Sequence, residues 1–371
     1  MQLFNTPAYF VSRVLTALCT GEFILTAIAT LIAYIITTLY YTITNRQHTV
    51  NPNKDFILIT GCSSGIGLCT VCHLADKGYT VFAGIRKETD KKNFSEYLNN
   101  NYSPKQASIT NERIIPIILD ISKELDRKNA VTTIQEYLQQ HGQTRLIGVI
   151  HNAGITLQAP IESMPEDDIR KQFEINSISP VVLSQQFLPL LRQATSKQRT
   201  ARLIFVASVA AHLTTPDVGV YSATKHAIRS LASCFRQELQ QFHIDVAMVS
   251  PGAVQSDLRS KGQNMQGESD DKASKEDSTP KLNISSKSPL EPSVAQQYKA
   301  SHAAVQRSYD TMSDSAANPM VVAAKIESAL RDTNPLSEYL AAKEAHFLPM
   351  LRGLPDRIFD RLALMEWNKA R

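Results

Sequence analysis

A tyrosine and a lysine four positions apart are the residues of this sequence best suited to proton transfer. Tyr221 and Lys225 stand in the segment YSATK, and on a helix this spacing places both side chains on one face. A nearby ammonium group favours the tyrosinate form and lowers the pKa of a phenol from about 10 toward neutral pH. The pattern therefore predicts that Tyr221 can give or take a proton near neutral pH.

A serine precedes this pair by thirteen residues. Ser208 closes the apolar run ARLIFVAS, and a hydroxyl at the end of a strand can polarise a carbonyl group. Each residue also has an ordinary structural interpretation: Tyr221 as a half-buried aromatic, Lys225 as a solvated helix residue and Ser208 as a helix cap. Their joint occurrence, each after a suitable strand, favours a catalytic set.

Three glycines lie within seven residues in the segment ITGCSSGIG, which spans 59–67. Gly61, Gly65 and Gly67 separate an apolar run from a helical pattern, and glycine allows backbone to approach a ligand closely. The N-terminus of the following helix would offer free N–H groups and a positive dipole end to a phosphate. GxxxGxG is not the commoner GxGxxG spacing, so a glycine turn without a ligand remains the alternative.

The cofactor choice depends on the loop after the second apolar run, which reads GIRK. In dinucleotide-binding folds an acidic residue here binds the ribose 2′-hydroxyl of NAD, but this sequence has Arg86 and Lys87. A guanidinium suits a 2′-phosphate, so the sequence predicts NADP(H), with NAD(H) as the second choice and a solvated Arg86 as the structural alternative. Asp120 closes the third run, where it would accept a hydrogen bond from the adenine amino group or cap the next helix.

The elements that must position these residues alternate along the chain. Six runs rich in Val, Ile and Leu read as strands, with helical stretches between them, and a seventh short run follows near the C-terminus; they span 55–60, 79–84, 113–120, 145–154, 201–208, 244–250 and 337–342. Such a pattern predicts an α/β fold with a doubly wound parallel sheet of Rossmann type. Ligands in these sheets lie beyond the carboxyl ends of the strands, where the chemically active residues fall.

The chain is divided as follows. Residues 54–258 form the predicted single catalytic domain, and 316–371 supply its C-terminal part and a helical tail. Residues 259–315 are polar, rich in Ser, Lys and Asp, and short of apolar side chains. Since such a segment cannot bury enough surface to offset its ordering entropy, we predict a largely disordered insertion with a short helix around Val294–Tyr309.

The N-terminal region predicts a membrane anchor. After an N-terminal segment, residues 1–22, the stretch from Phe23 to Ile43 contains twenty-one residues without a charge, long enough to cross a hydrocarbon core about 30 Å thick. A cleaved signal peptide fits less well because Glu22 precedes the run and tyrosines close it. A buried helix is a weaker alternative, since a polar linker, residues 44–53, separates the run from the catalytic domain.

The orientation of this anchor follows from flanking positive charge. Arg13 precedes the helix, whereas Arg46 and Lys54 follow it, which predicts a single-pass protein with a cytosolic catalytic domain, in the endoplasmic reticulum of a eukaryote. A luminal domain is the alternative, in which glycans would be attached at three sequons, Asn93, Asn101 and Asn283.

Composition argues against a nucleic-acid-binding, a disulfide-rich or a metal-binding protein. The net charge of +4 is small for 371 residues, and no basic stripe with interleaved aromatics appears, so nucleic acid is not an expected partner. The five cysteines are few and scattered, which argues against a disulfide framework. Cys69 and Cys72 form a CxxC, but no second pair has zinc spacing, so we predict no metal.

Together these motifs resemble the short-chain dehydrogenase/reductase family, most closely its hydroxysteroid and retinol dehydrogenase branch. The resemblance covers about residues 54–258 closely and the C-terminal part loosely. It runs through TGCSSGIG (60–67), Asp120, HNAG (151–154), Asn176, Ser208, YSATK (221–225) and PG (251–252).

The resemblance implies a role for each matching residue. Tyr221 would be the general acid/base, with Lys225 lowering its pKa and binding the nicotinamide ribose. Ser208 would hold the substrate oxygen, and Asn176 would anchor a proton-relaying water. The implied cofactor-binding residues are Thr60, Gly61, Ser63, Ser64, Gly65, Ile66, Gly67, Arg86, Asp120, Asn152, Ala153, Gly154, Tyr221, Lys225, Pro251, Gly252 and Ser256.

Two positions depart from the family pattern. His151 replaces the first Asn of the usual NNAG motif, which matters little if that residue only packs. Ser256 stands where the family has a threonine, and its hydroxyl can still donate a hydrogen bond to the cofactor. The insertion after Leu258 falls where the family keeps its substrate-binding loop, so the substrate is the least determined feature.

The sequence therefore predicts a membrane-anchored oxidoreductase that moves a hydride between NADP(H) and a lipophilic alcohol or ketone, such as a steroid, a retinoid or a long-chain keto-lipid. The alternative is a non-catalytic, cofactor-binding scaffold of the same fold. The resemblance also implies a homodimer as the default assembly.

Overall fold

The computed structural model describes residues 50–52, 54–142, 145–196, 199–256, 315–347 and 354–361, with isolated positions at 28, 31, 32, 34, 35, 258, 298, 302, 303, 305, 307 and 311. Most of the predicted membrane segment and of the predicted insertion thus lies outside the described residues. Across the part of the chain that is described, no helix combines the length and apolar character needed to cross a bilayer.

Seven strands form one sheet, and each coincides with a predicted run. They are β1 Asp55–Ile59, β2 Thr80–Ile85, β3 Ile114–Ile118, β4 Arg145–His151, β5 Ala201–Val206, β6 Ile244–Pro251 and β7 Glu338–Ala341. All neighbours pair in parallel, in the order β3-β2-β1-β4-β5-β6-β7. The predicted doubly wound parallel sheet is confirmed, with its topological switch between β1 and β4.

Helices cover both faces of the sheet. They are α1 Gly65–Asp76, α2 Lys92–Asn101, α3 Pro104–Asn111, α4 Glu124–Gln140, α5 Glu166–Phe173, α6 Ser179–Ala194, α7 Gly219–Leu239, α8 Met320–Arg331 and α9 Lys343–Phe347. A π-helical turn, Glu174–Ile178, joins α5 to α6. Residues 356–361, in the predicted tail, are also helical.

Alternation along the strands creates two cores. In β1 the side chains of Ile57 and Ile59 join the core under α1, α2, α3 and α8, whereas Phe56 and Leu58 join the core under α4, α6 and α7. Successive side chains of a strand point to opposite faces, so a fully buried strand must be apolar throughout. The continuous run FILI is therefore explained by burial on both sides.

A buried arginine ties α8 to the sheet. Arg202 of β5 is fully buried, and its Nη1 lies 2.6 Å from Oδ2 of Asp245 on β6. The same guanidinium donates to the backbone carbonyls of Ala329 and Asp332, at 3.1 and 2.7 Å. These bonds hold α8 against the strands that carry the candidate catalytic residues.

Candidate active site

A cleft lies beyond the carboxyl ends of the strands, where the loops after β1 to β6 meet. Apolar side chains complete its lining, among them Ile155, Ile175, Val254 and Leu258. The predicted residues that line it are Gly61, Ser63, Ser64, Gly65, Ile66, Gly67, Arg86, Asp120, Asn152, Ala153, Gly154, Ser208, Tyr221, Lys225, Pro251, Gly252 and Ser256. The structure thus brings together all the predicted residues except Thr60 and Asn176.

The glycine loop is shaped by two close approaches. Gly61 has a φ of +71°, a left-handed conformation that favours glycine. A Cβ at Gly67 would lie 2.2 Å from the carbonyl oxygen of Gly61 and 2.5 Å from Nδ2 of Asn152. The loop therefore wraps tightly at the N-terminus of α1, where backbone N–H groups can bind a phosphate, so the cradle fits the pyrophosphate of a dinucleotide.

Thr60 and Asn152 brace this loop from behind. Thr60 is fully buried, and its Oγ1 accepts hydrogen bonds from the backbone N–H groups of Asn152 and Ala153, at 3.1 and 3.0 Å. In return, Nδ2 of Asn152 donates to the carbonyls of Thr60 and Gly61, at 2.9 and 3.0 Å. Thr60 holds the loop after β4 to the glycine loop and does not line the cleft itself.

Asn93 supports the glycine loop from outside the cleft, and the sequence did not single it out for this role. Its Nδ2 donates a 2.8 Å hydrogen bond to the carbonyl of Ser63, which links α2 to the glycine loop. In the sequence it stands out only as a glycosylation sequon, and nothing in the pattern signals a contact thirty residues back along the chain.

Arg86 and Asp120 lie at the adenosine end. Arg86 follows β2 directly and its side chain is exposed within the lining of the cleft. Oδ1 of Asp120 accepts from the backbone N–H and the hydroxyl of Ser122, at 3.1 and 2.7 Å. The N-cap of α4 is Lys123, so the alternative in which Asp120 caps this helix is wrong. Asp120 instead lines the cleft.

Ser208 follows β5 and opens a short turn. Its Oγ accepts a 3.1 Å hydrogen bond from the backbone N–H of Ala210. Because this bond uses a lone pair of the oxygen, the hydroxyl hydrogen remains able to donate toward the cleft.

Tyr221 and Lys225 lie one turn apart on α7 and both face the cleft, as their spacing predicted. Nζ of Lys225 lies 5.6 Å from the centre of the Tyr221 ring and donates a 3.2 Å hydrogen bond to the carbonyl of Val206. Tyr221 is partly exposed, whereas Lys225 is buried. Burial penalises the ammonium form and lowers the pKa of Lys225 to about 8.

Asn176 lies behind the catalytic helix, in the π-helical turn. Its Oδ1 accepts from the N–H of Ile155 and its Nδ2 donates to the carbonyl of Ile155, both at 2.8 Å. Nδ2 also lies 3.1 Å from Oγ1 of Thr224. The side chain thus ties the loop after β4 to α7, and a π-helical turn is a feature often found at functional sites.

His151 packs rather than facing the cleft. Its ring stacks on Phe205 at 4.8 Å, and its Nε2 lies 2.8 Å from the hydroxyl of Ser184. Burial lowers the pKa of His151 to about 3, so the imidazole is neutral. This agrees with a packing role at the position where the family pattern has asparagine.

The CxxC pair is buried and its thiols are held in the protonated form. Cys69 and Cys72 are buried free thiols, and burial raises the pKa of Cys72 to about 12. Among the described residues, no group of His, Cys, Asp and Glu is arranged to hold a metal ion.

Comparison with known proteins gives the family. The model of the short chain dehydrogenase family matches residues 55–267. The NADPH-dependent 3-dehydrocapnine reductase of Ornithobacterium rhinotracheale is 25% identical over 85% of this chain and 98% of its own. Estradiol 17-beta-dehydrogenase 2 of Rattus norvegicus is 31% identical over 59% of this chain, and the match spans 53% of the rat enzyme, about half of its length.

A solved structure shares the fold. A short-chain dehydrogenase from Streptomyces avermitilis superposes with a TM-score of 0.58 and 22% identity, over 86% of this chain and 98% of its own. The predicted resemblance to the short-chain dehydrogenase/reductase family is confirmed, and the matched relatives include a protein named as a hydroxysteroid dehydrogenase. The chain therefore belongs to the short-chain dehydrogenase family and is an NAD(P)-dependent oxidoreductase that acts on hydroxyl and keto groups.

Proposed function

We propose that this enzyme uses NADP(H) to interconvert a lipophilic ketone and its alcohol at a membrane surface. The observation that carries the proposal is the position of Arg86, an exposed guanidinium in the cleft at the end of β2. In this fold the end of the second strand faces the adenosine ribose, so the residue there distinguishes a 2′-phosphate from a 2′-hydroxyl.

The surroundings of Arg86 support a phosphate site. Ser63 lies in the same cleft, and the hydrogen bond from Asn93 to its carbonyl fixes its backbone. A guanidinium can bind two phosphate oxygens at once, with a directionality that an ammonium lacks. A relative matched over most of this chain is named as NADPH-dependent, which is consistent with the same preference here.

The catalytic residues act on the substrate oxygen. When bound, the nicotinamide supplies or accepts the hydride. In the direction of reduction, the hydroxyl of Tyr221 gives its proton to the carbonyl oxygen, and the hydroxyl of Ser208 donates a hydrogen bond to that oxygen. In the direction of oxidation, the tyrosinate takes the proton from the alcohol.

Lys225 stabilises the tyrosinate. Its ammonium is fixed by the bond to Val206 and lies on the same side of α7 as the Tyr221 ring. A positive charge there favours the anionic form of the phenol, which makes proton transfer accessible near neutral pH. Asn176 supports this arrangement through its bonds to Ile155 and Thr224, and the proton-relaying water would lie near this turn.

The lipophilic substrate is supported by the lining of the cleft. Ile155, Val254 and Leu258 come from the loops after β4 and β6, which border the catalytic tyrosine and the predicted nicotinamide site. A relative acts on estradiol, according to its name. The steroid, retinoid and keto-lipid classes all present a carbonyl on a large apolar body, which such a lining accepts.

The membrane anchor is supported by the uncharged segment 23–43. Its described positions are helical, and they carry apolar side chains that are about half exposed, at Ile28, Leu31, Ile32, Tyr34 and Ile35. An anchor would keep the enzyme where its substrate dissolves. The larger positive charge after the segment, at Arg46 and Lys54 against Arg13 before it, favours a cytosolic catalytic domain.

A homodimer is part of the same proposal. Ile178, at the end of the π-helical turn, and Leu231, on the helix that carries Tyr221, are exposed apolar residues. Their burial against a second copy would remove this apolar surface from water. Light scattering of the purified protein should give the mass of a dimer, and Leu231→Asp should give the monomer; a monomeric wild-type protein would contradict this assembly.

The cofactor experiment uses the full-length protein in detergent. Nicotinamide fluorescence should show tighter binding of NADPH than of NADH, and Arg86→Asp should weaken NADPH binding by at least tenfold while sparing NADH. Lys105→Asp is the matched control, because this exposed lysine lies on α3 and outside the lining of the cleft. Equal affinities in the wild-type protein, or no effect of Arg86→Asp, would contradict the 2′-phosphate site.

The substrate and the anchor need separate tests. NADPH oxidation should be followed with a keto-steroid, all-trans-retinal and a long-chain keto-lipid, against small water-soluble ketones as controls.

Residues 1–43 should hold the protein in a floating membrane fraction after carbonate extraction, and their deletion should release it. Sensitivity of the expressed protein to endoglycosidase would contradict the cytosolic orientation.

A further inference from the structure

A buried carboxylate lies at the junction of three elements that carry the candidate active site. Glu338 is the first residue of β7, at the edge of the sheet, and only 7% of it is exposed. Its Oε1 accepts a 2.5 Å hydrogen bond from the hydroxyl of Ser250 and lies 2.6 Å from Nε2 of His212. Its Oε2 lies 3.8 Å from Nε of Arg229.

Each partner of Glu338 stands beside a site residue. His212 ends the short turn that Ser208 opens, and it is buried. Ser250 directly precedes Pro251 and Gly252, which line the cleft. Arg229 follows Lys225 by one turn of α7. One carboxylate therefore connects β7 to the turn after β5, the end of β6 and the catalytic helix.

The carboxyl group is ionised in this environment. Burial alone raises the pKa of Glu338, but the hydrogen bonds and charges of His212, Ser250 and Arg229 together outweigh it, and the net pKa is lowered. A charged acceptor binds its donors more strongly than a neutral one. Because the group is buried, a partner that moved away would leave a charge without compensation.

The turn after Ser208 depends on His212. Within it, the N–H of Ala211 donates to the carbonyl of Ser208, and the N–H of His212 donates to the carbonyl of Val209, both at 2.9 Å. The N–H of Ala210 bonds to Oγ of Ser208. Anchoring the last residue of so short a turn fixes the first, and with it the direction of the Ser208 hydroxyl.

We propose that Glu338 is a positioning residue, which holds His212 and thereby the turn that presents the Ser208 hydroxyl to the substrate oxygen. The proposal rests on the catalytic role proposed for Ser208. It predicts that loss of the Glu338 charge slows the chemical step far more than it weakens cofactor or substrate binding, since a small misplacement of a catalytic group can cost about 10²-fold in rate.

The molecule contains a matched control. His73 of α1 and Glu327 of α8 form a second pair, with 2.7 Å between Nε2 and Oε2, and their side chains are 12% and 14% exposed. This pair joins two helices and contacts none of the loops that line the cleft. Glu327→Gln therefore removes the same charge from the same kind of pair, at a position that does not line the cleft.

The first measurement is hydrogen–deuterium exchange of the full-length protein with NADPH present. Glu338→Gln and His212→Gln should each speed the exchange of the amides of residues 210–212 by at least tenfold, whereas Glu327→Gln should leave them unchanged. The proposal would be overturned if these amides exchanged in Glu338→Gln at the wild-type rate. It would also be overturned if Glu327→Gln accelerated their exchange equally.

The second measurement is kinetic, with NADPH and 9,10-phenanthrenequinone as a planar, apolar and reactive ketone. Glu338→Gln and His212→Gln should each lower kcat by about ten- to a hundredfold with KM within threefold, and the double variant should lose no more than either single one, because both act through one contact. Glu327→Gln should keep wild-type kcat. If Glu338 had a purely structural role, Glu338→Gln and Glu327→Gln would each lower kcat in proportion to the loss in their free energy of unfolding.

The two measurements separate this proposal from the proposed function. A wild-type enzyme that fails to reduce any apolar ketone would contradict the proposed substrate class, while the exchange result would still decide whether Glu338 holds the turn. Rapid turnover by the wild type together with undiminished kcat in Glu338→Gln would overturn the positioning role alone.

Discussion

The ammonium of Lys225 and the ring of Tyr221 are fixed relative to each other by the sheet, not only by the helix that carries them. Nζ of Lys225 lies 5.6 Å from the centre of the Tyr221 ring and bonds at 3.2 Å to the carbonyl of Val206, the last residue of β5. Since Ser208 follows the same strand by two residues, this hydrogen bond links the helix that carries Tyr221 and Lys225 to the strand that leads to Ser208.

Removal of the Tyr221 hydroxyl should slow turnover strongly without weakening cofactor binding. Tyr221→Phe keeps the ring, and we expect kcat to fall by about 10²- to 10⁴-fold, the range for a lost general acid, while NADPH affinity stays within a few-fold. Fluorescence titration and steady-state rates would measure both. Tyr97→Phe is the control, since the Tyr97 hydroxyl contacts Cys69 outside the cleft. Undiminished turnover in Tyr221→Phe would show that Tyr221 is not the general acid.

Replacement of Lys225 should stabilise the protein at neutral pH. Burial lowers the pKa of Lys225 from 10.5 to about 8, so between these values the unfolded chain binds more protons and stability rises with pH. Below pH 8 the full cost of burying the ammonium is present. Lys225→Met should therefore raise the free energy of unfolding at pH 7 by up to about 3 kcal/mol, and much less above pH 10.5.

Urea unfolding at pH 7 and pH 10.5 would measure this difference. Lys171→Met, at an exposed position on α5, is the control and should change stability equally at both pH values. A Lys225→Met protein that is less stable than the wild type at pH 7 would show that the contacts of Lys225 outweigh its desolvation.

A methyl group at Gly67 should disrupt the cofactor cradle. The new Cβ would lie 2.2 Å from a carbonyl oxygen of the loop, so Gly67→Ala must displace Gly61 or Asn152. We expect NADPH affinity to fall more than tenfold. Gly142→Ala is the control: its φ is +49° and nothing lies within 4 Å of the added Cβ, so it should cost about 1 kcal/mol of stability and no affinity. Unchanged affinity in Gly67→Ala would argue against a phosphate in this loop.

Local patterns were sufficient to predict most of this site. The strands, the glycine loop and the Tyr221–Lys225 pair each depend on residues within a few positions of one another. Neighbouring residues in the sequence were therefore enough to predict them. The carboxyl ends of parallel strands meet at one edge, and this rule brought Arg86, Asp120 and Ser208 into one predicted cleft.

Contacts between distant segments could not be read in the same way. The carboxylate of Glu338 meets His212 across 126 positions of the chain, and Arg202 meets Asp332 across 130. The pairing of β7 with β6 decides the first contact and the packing of α8 on the sheet the second, and no local period encodes either neighbour. Thr60 was predicted to bind the cofactor because it lies in a motif, whereas its burial behind the loop is a tertiary property.

His151 should make the fold sensitive to acid. Burial lowers the pKa of its imidazole to about 3, against 6.5 for an exposed histidine, so below pH 6.5 the unfolded chain binds a proton that the folded chain does not. This group alone should lower the free energy of unfolding by about 1.4 kcal/mol for each pH unit between 6.5 and 3. His151→Asn introduces the residue of the family pattern and removes this dependence.

At pH 7 the same change should destabilise the protein by about 1–2 kcal/mol, because it removes the stack on Phe205 and the contact with Ser184. The variant should therefore be the less stable protein at pH 7 and lose this disadvantage near pH 5. Ser184→Ala is the control, since it deletes the same contact but keeps the imidazole and with it the acid sensitivity. Urea unfolding at both pH values measures the crossover, and parallel pH dependences of wild type and His151→Asn would mean that other buried groups cause the acid sensitivity.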